Sequence, residues 1–255
     1  MLKHTLWAML CALLLCATTL SHARTDDKTK PVLLIHGWSY FQAGWDCSTY
    51  FHDLKTELLA QGFTGPIITV GYYEGDINCD VNLRNVDATI TDNTPWRALG
   101  RALNQYIQQT FTSTGQPVDV IAHSMGGLMT RAAVLGAQLG EDGFAPIMIE
   151  DAVLLGSPHK GTNIGLMCSK QCYSLRRDYP DYDWLNAVGH PQSLLQTDWS
   201  IQATTTDQFV ALDSALNLAV DKAHRFIVTG PIHIGLVSFN ACVRHAVQSL
   251  VTAEN

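Results

Sequence analysis

Positive charge is scarce in this sequence: 16 lysines and arginines stand against 23 aspartates and glutamates, a formal net charge of -7. Nucleic-acid binding rests on neutralising phosphates with Lys and Arg, so this balance argues against nucleic acid as a partner. Long apolar runs are scarce too. Leu6–Leu20 is mostly apolar but short for a membrane span of about 20 residues, and no second such run follows. Nothing reads as a linker, a repeat or a low-complexity tract, which leaves one domain rather than an array.

The apolar run has a different explanation. Lys3 and His4 give it a weakly basic head, and Ser21-His22-Ala23 is a small-x-small cleavage site, so residues 1–23 read as a secretory signal peptide. A lipoprotein anchor at Cys16 is disfavoured because Leu15 precedes it where a small residue is wanted. The expected product is a secreted protein, extracellular or periplasmic. Its single domain covers residues 24–255, and its charge is -8, because the leader removes Lys3 and no acid.

Of seven cysteines, Cys11 and Cys16 belong to the leader. The other five form an odd set, which in an oxidising compartment leaves at least one free thiol. The expected pairs are Cys47–Cys79 and Cys168–Cys172. Cys242, on an apolar helix face with Ala246, then stays free and buried.

What is present centres on Val118–Met129. Val118, Val120 and Ile121 are β-branched, as a buried parallel strand prefers, and Leu128–Leu135 is rich in helix formers. Between them Ala122 and Gly126 flank Ser124 two positions on either side. This spacing makes a nucleophile elbow, with alanine in the first small position. Such a turn exposes a serine hydroxyl at the carboxyl end of the sheet with a helix N-terminus behind it. The N–H of Met125 can then stabilise an acyl-transfer oxyanion. The plain alternative is a strand-turn-helix with a chance serine.

Pro31–Ile35 is an apolar strand followed by His36, Gly37 and Trp38. The glycine lets the backbone turn close to a neighbouring loop, which suits a second oxyanion N–H, that of Trp38. His36 is assigned to holding this loop by hydrogen bonding. Further along, Tyr50, Leu54 and Leu58 mark a helix over Asp46–Gln61, Pro66–Val70 a strand, and Gly71–Ile90 a long polar loop. Thr94 and Pro95 suit the N-cap and N1 positions of a helix presenting Trp96, Leu99, Leu103 and Ile107. Ile147–Leu155, Asp198–Ala203 and Arg225–Thr229 are strands. Val243, Val247, Leu250 and Val251 line a closing helix. This alternation implies an α/β protein whose parallel sheet is covered on both faces.

Four segments in order, Pro31–Trp38, Val118–Leu128, Leu155–Thr162 and Gly230–Leu236, resemble the small secreted bacterial triacylglycerol lipases of the class 2 lipase and esterase type, within the α/β-hydrolase superfamily. The resemblance runs from about Pro31 to the C-terminus. It implies a minimal α/β-hydrolase fold, with a mostly parallel central sheet of about six strands and helices on both faces. It also implies ester hydrolysis by a Ser, Asp, His triad in that chain order, with no metal or organic cofactor.

The base must then lie late in the chain. Among His159, His190, His224, His233 and His245, the one chosen is His233, in the loop bounded by Gly230 and Gly235 after the apolar strand Arg225–Thr229. His123, next to the nucleophile, should project elsewhere. For the acid, Asp198, Asp207, Asp213 and Asp221 all precede His233. Asp207 opens the loop behind the strand Asp198–Ala203, in a run similar to the family's acid segment, and Asp213 is the alternative.

Between Thr162 and Asp198 the pattern is irregular. Cys168 and Cys172 could ligate zinc, though export favours a disulfide. Asp178, Asp181 and Asp183 could bind calcium or form an acidic solvated loop. Tyr179, Tyr182, Trp184 and Leu185 either line an acyl pocket or pack this segment onto the domain. The expected substrate is an acylglycerol or another ester, met at a lipid–water interface by a monomer without a membrane span. Short-chain esters, polyesters and thioesters use the same machinery, and a non-catalytic binder of apolar ligands is the reading from another class.

Overall fold

The computed structural model describes residues 27–40, 44–164 and 170–251. The expected leader and Cys168 lie outside the described residues. Seven strands form one sheet: β1 Val32–Ile35, β2 Ile67–Gly71, β3 Val81–Asn82, β4 Val118–His123, β5 Ile149–Leu155, β6 Asp198–Thr204 and β7 Arg225–Val228. Their order is β3-β2-β1-β4-β5-β6-β7, and every pairing is parallel. The strand beyond the expected six is β3, inside the stretch Gly71–Ile90 that reads as loop. Two residues are too few to show an alternation.

Side chains alternate across a strand, and both faces of β1 are apolar. Leu33 and Ile35 pack with Leu99, Leu103 and Ile107 of α3 (Trp96–Thr110) and with Leu128 and Leu135 of α4 (Met125–Gln138). Val32 and Leu34 face the other way, onto Leu54 and Leu58 of α2 (His52–Ala60) and Val243 and Val247 of α6 (Asn240–Gln248). Parallel crossovers put helices on both faces, and each buried Leu or Ile adds about 1.5–3 kcal/mol.

Two helix boundaries differ from the sequence reading. The span Asp46–Gln61 is broken at Phe51 into α1 (Cys47–Tyr50) and α2. The first turn is pinned separately: the Asp46 carboxylate accepts from the N–H groups of Ser48 and Thr49, and Cys47 is bonded to Cys79. The N-cap of α3 is Pro95 instead of Thr94, because the Thr94 hydroxyl is engaged by the Thr91 N–H in the preceding turn.

The Cys47–Cys79 disulfide is present, Cys172 is also disulfide-bonded, and Cys242 is free and buried. Burial pushes the Cys242 thiol up to about 11, which keeps it protonated and inert. The Cys47–Cys79 bridge closes a separation of 32 residues, which limits the unfolded chain. Replacing both cysteines by alanine should cost about 2–4 kcal/mol, read as a lower urea midpoint with a somewhat steeper slope, because the unfolded chain becomes less compact. An unchanged midpoint would show the bridge to be dispensable.

In the segment before β6, α5 (Asp181–Leu185) buries Tyr182 and Leu185, and Tyr179, Tyr182 and Trp184 pack around Trp96. Of the two uses open to these aromatics, packing the segment onto the domain is the one seen. Asp178 pairs with Arg176, and Asp181 with Arg97.

Candidate active site

Strands β1 and β4 are neighbours, with Ile35 opposite Ala122, so the turns that leave them lie side by side at the carboxyl end of the sheet. Ser124 occupies the turn between β4 and α4 with φ 55° and ψ -121°, a strained conformation for a residue with a side chain. Its N–H donates to the Leu155 carbonyl at 2.8 Å, which holds the turn against β5. The approach of the two turns requires glycine twice. A Cβ on Gly126 would stand 2.7 Å from the carbonyl oxygens of Ile35 and His36, and one on Gly37 would stand 2.7 Å from the Ser124 Cβ.

The N–H groups of Trp38 and Met125 have no hydrogen-bond partner among the described residues, although those flanking Trp38 do. Gly37 N–H donates to the Tyr50 hydroxyl at 3.2 Å and Ser39 N–H to the Tyr73 hydroxyl at 3.1 Å. Met125 opens α4, where the helix dipole adds partial positive charge. The strap carrying Trp38 is tied from below. His36 spends both ring nitrogens there, Nδ1 on the Gly37 carbonyl at 2.9 Å and Nε2 on Asp76 at 3.0 Å. Asp76 also accepts from the N–H groups of Trp45, Tyr72 and Tyr73. Burial raises the Asp76 carboxyl, but the bonds from His36 and the two tyrosine N–H groups outweigh it and leave the group below its ordinary value.

Strands β6 and β7 are also adjacent, with Thr204 opposite Val228, and the loops after them bring Asp207 and His233 together. His233 Nδ1 lies 2.7 Å from Asp207 Oδ2, with both side chains buried. The other Asp207 oxygen accepts from the N–H groups of Phe209 and Val210, both at 2.8 Å. A carboxylate only accepts, so Nδ1 carries the proton and the neutral imidazole has Nε2 unprotonated, the form a general base needs. Asp213, the alternative acid, pairs instead with the exposed guanidinium of Arg177. Of the other late histidines, His159 is buried beside Arg131, and His224 pairs with Asp221.

Ser124 and His233 line one cleft of about 190 Å³. Its walls are mainly apolar, formed by Trp38, Trp45, Leu175 and Val210, with Tyr40, Phe209 and Ile234 at exposed positions. None of Tyr179, Tyr182, Trp184 or Leu185 lines it. Among the described residues no group of three or more His, Cys, Asp and Glu side chains is placed to hold a metal ion.

Sequence reasoning missed Asp76, Tyr50 and His123. Asp76 stands in a stretch with several acids and no periodicity to single it out. His123 does not project away from the site: its ring lies against that of His233, with centroids 4.6 Å apart.

Burial, with His233 second for His123 and Arg131 second for His159, holds both of these histidines well below the ordinary value. Unfolded histidine titrates near 6.5, so below that pH the unfolded chain binds more protons and stability falls with pH, by up to about 1.4 kcal/mol per pH unit for each residue. Asp119, pushed up to about 6 by burial, opposes this between about 6 and its unfolded 3.8. Two histidines outweigh one aspartate. Thermal melts should therefore show Tm falling from pH 6.5 to 5, and a Tm that rises over this range would contradict the neutral buried state.

A profile of the alpha/beta hydrolase family matches residues 32–235 of this chain. Among solved structures, the mature lipase BlEst2 of Bacillus licheniformis is similar at 14% identity and a TM-score of 0.62, over 88% of this chain and 93% of that one. A gene product of Listeria innocua gives 15% and 0.56, over 89% and 96%. A lipase-esterase related protein of Clostridium acetobutylicum gives 11% and 0.55, again over 89% and 96%. At these identities the likeness is one of fold.

Proposed function

The chain belongs to the alpha/beta hydrolase family, and on that premise we propose that it is a secreted serine carboxylester hydrolase acting on apolar acyl esters such as acylglycerols. The observation that carries this reading is the buried Asp207–His233 pair, whose imidazole lines the same apolar cleft as a strained, turn-borne Ser124. Non-catalytic binding of an apolar ligand has no use for such a pair beside a hydroxyl.

In the proposed mechanism His233 Nε2 takes the Ser124 proton as Oγ attacks the ester carbonyl. The N–H groups of Trp38 and Met125 receive the oxyanion. The tetrahedral intermediate then collapses, the C–O bond to the alcohol breaks, and His233 returns the proton to the leaving oxygen. Water, deprotonated by His233, attacks the acyl-enzyme, and the acid leaves as the proton returns to Ser124. Asp207 keeps the proton on Nδ1 and stabilises the imidazolium. The reading of residues 1–23 as a leader and the Cys47–Cys79 bridge support export, with residues 24–255 as the catalytic domain.

The test is a series of p-nitrophenyl esters from acetate to palmitate beside emulsified triacylglycerol, with fluorophosphonate labelling of Ser124. Hydrolysis that rises with chain length and extends to the emulsion is expected. Labelling with activity confined to acetate and butyrate would leave a short-chain esterase, and absence of labelling and turnover would leave a binder.

A further inference from the structure

We infer that Tyr50 and His123 are positioning residues that couple the oxyanion strap to the loop of the base through one buried hydrogen-bonded chain. The inference rests on the Ser124–Asp207–His233 reading above. Gly37 N–H donates to the Tyr50 hydroxyl oxygen at 3.2 Å, the Tyr50 hydroxyl stands 2.5 Å from His123 Nδ1, and His123 Nε2 stands 3.1 Å from the His233 carbonyl.

The proton positions follow from the partners. A carbonyl has no proton to give, so His123 Nε2 carries the hydrogen. Nδ1 of the neutral ring is left as acceptor. The Tyr50 hydroxyl donates there while its lone pair receives the Gly37 N–H. All three bonds are buried, where water does not compete for them. Burial also disfavours a charge on His123, in keeping with the neutral ring.

The sheet offers no direct connection between these parts. Trp38 follows β1 and His233 follows β7, with β4, β5 and β6 between them. The chain through Tyr50 and His123, the last residue of β4, joins the strap beside Ser124 to the backbone of the base without passing through β5 or β6. Asp207 fixes the outer end of the His233 ring. His123 fixes its backbone carbonyl and lies against the ring face. Attack requires strap and base to be placed together, and a misplacement of about 1 Å costs on the order of 10²-fold in rate.

The experiment compares kcat, KM and Tm on p-nitrophenyl butyrate for wild type, Tyr50→Phe, His123→Phe, His123→Asn, His123→Gln and the double variant Tyr50→Phe/His123→Phe. The proton NMR resonance of His233 Nδ1–H is followed in each. His123→Phe is expected to lower kcat by about 10- to 100-fold at nearly constant KM and to displace or broaden that resonance. His123→Gln, whose amide can reach the His233 carbonyl, should recover most of kcat. His123→Asn, which keeps the acceptor for Tyr50 and loses that donor, should not. The double variant should be no slower than His123→Phe alone, since the links act in series.

Wild-type kcat and an unmoved resonance in the His123 variants, whatever happens to Tm, would reduce His123 to packing and overturn the inference. Fully additive losses in the double variant would overturn the coupling. Should wild type show no Ser124-dependent hydrolysis, the functional reading fails, while the resonance still reports whether His123 positions His233. If His123→Phe does not fold, the difference between the Gln and Asn variants decides.

Discussion

Replacing Ser124 by alanine is expected to lower kcat by a factor on the order of 10⁶ and to leave the fold standing. The hydroxyl is the proposed nucleophile, so its loss removes the group that would carry the acyl-enzyme. Residual hydrolysis should come only from the free N–H groups of Trp38 and Met125 and from substrate binding. The fold should survive because alanine accepts the same φ of 55° at no greater strain, and because the turn is held by its backbone bond to Leu155. A Tm within about 2–4 °C of wild type, with fluorophosphonate labelling abolished, is the expected pair of results. Turnover retained in a purified, folded Ser124→Ala protein would sink the serine-hydrolase reading.

Asp207→Asn is expected to reduce kcat by about 10⁴-fold while Asp213→Asn changes it less than about twofold. The asparagine carbonyl can still accept from the Phe209 and Val210 N–H groups, so the loop keeps its shape. Its NH₂ then faces His233 Nδ1, where a donor stabilises the tautomer that carries hydrogen on Nε2. That tautomer cannot take the Ser124 proton. Asp213 loses only an exposed pair with Arg177, of a kind worth about 0–1 kcal/mol. Rates at saturating p-nitrophenyl ester distinguish the two, and the reverse pattern would transfer the acid role to Asp213.

The strand order Pro31–Ile35, Pro66–Val70, Val118–Ile121 and Ile147–Leu155 was legible because buried parallel strands are continuous β-branched and aliphatic runs. The two-residue β3 was not, since nothing in Val81–Asn82 repeats. Phe51 ends α1 although the apolar spacing of Tyr50, Leu54 and Leu58 runs straight through it. The first turn is held separately, through Cys47, by a bridge to Cys79, which lies 32 residues further along. The capping role read into Thr94 went to Pro95 because the Thr94 hydroxyl found a nearer partner in Thr91.

The sequence by itself determined the local machinery: a serine between Ala122 and Gly126 on a strand-to-helix turn, a glycine after β1, and a late histidine bounded by glycines. Each is a short-range requirement, set by which residues fit a sharp turn or a close backbone approach. Only the tertiary structure decided which acid meets His233. Asp207 and Asp213 are six positions apart in one segment, and the pairing of β6 with β7 sets one beside the imidazole and the other beside Arg177. Only the tertiary structure, likewise, turned His123 from a neighbour of Ser124 into the link between Tyr50 and the His233 backbone. Its partners lie 73 and 110 residues away, beyond the reach of any local pattern.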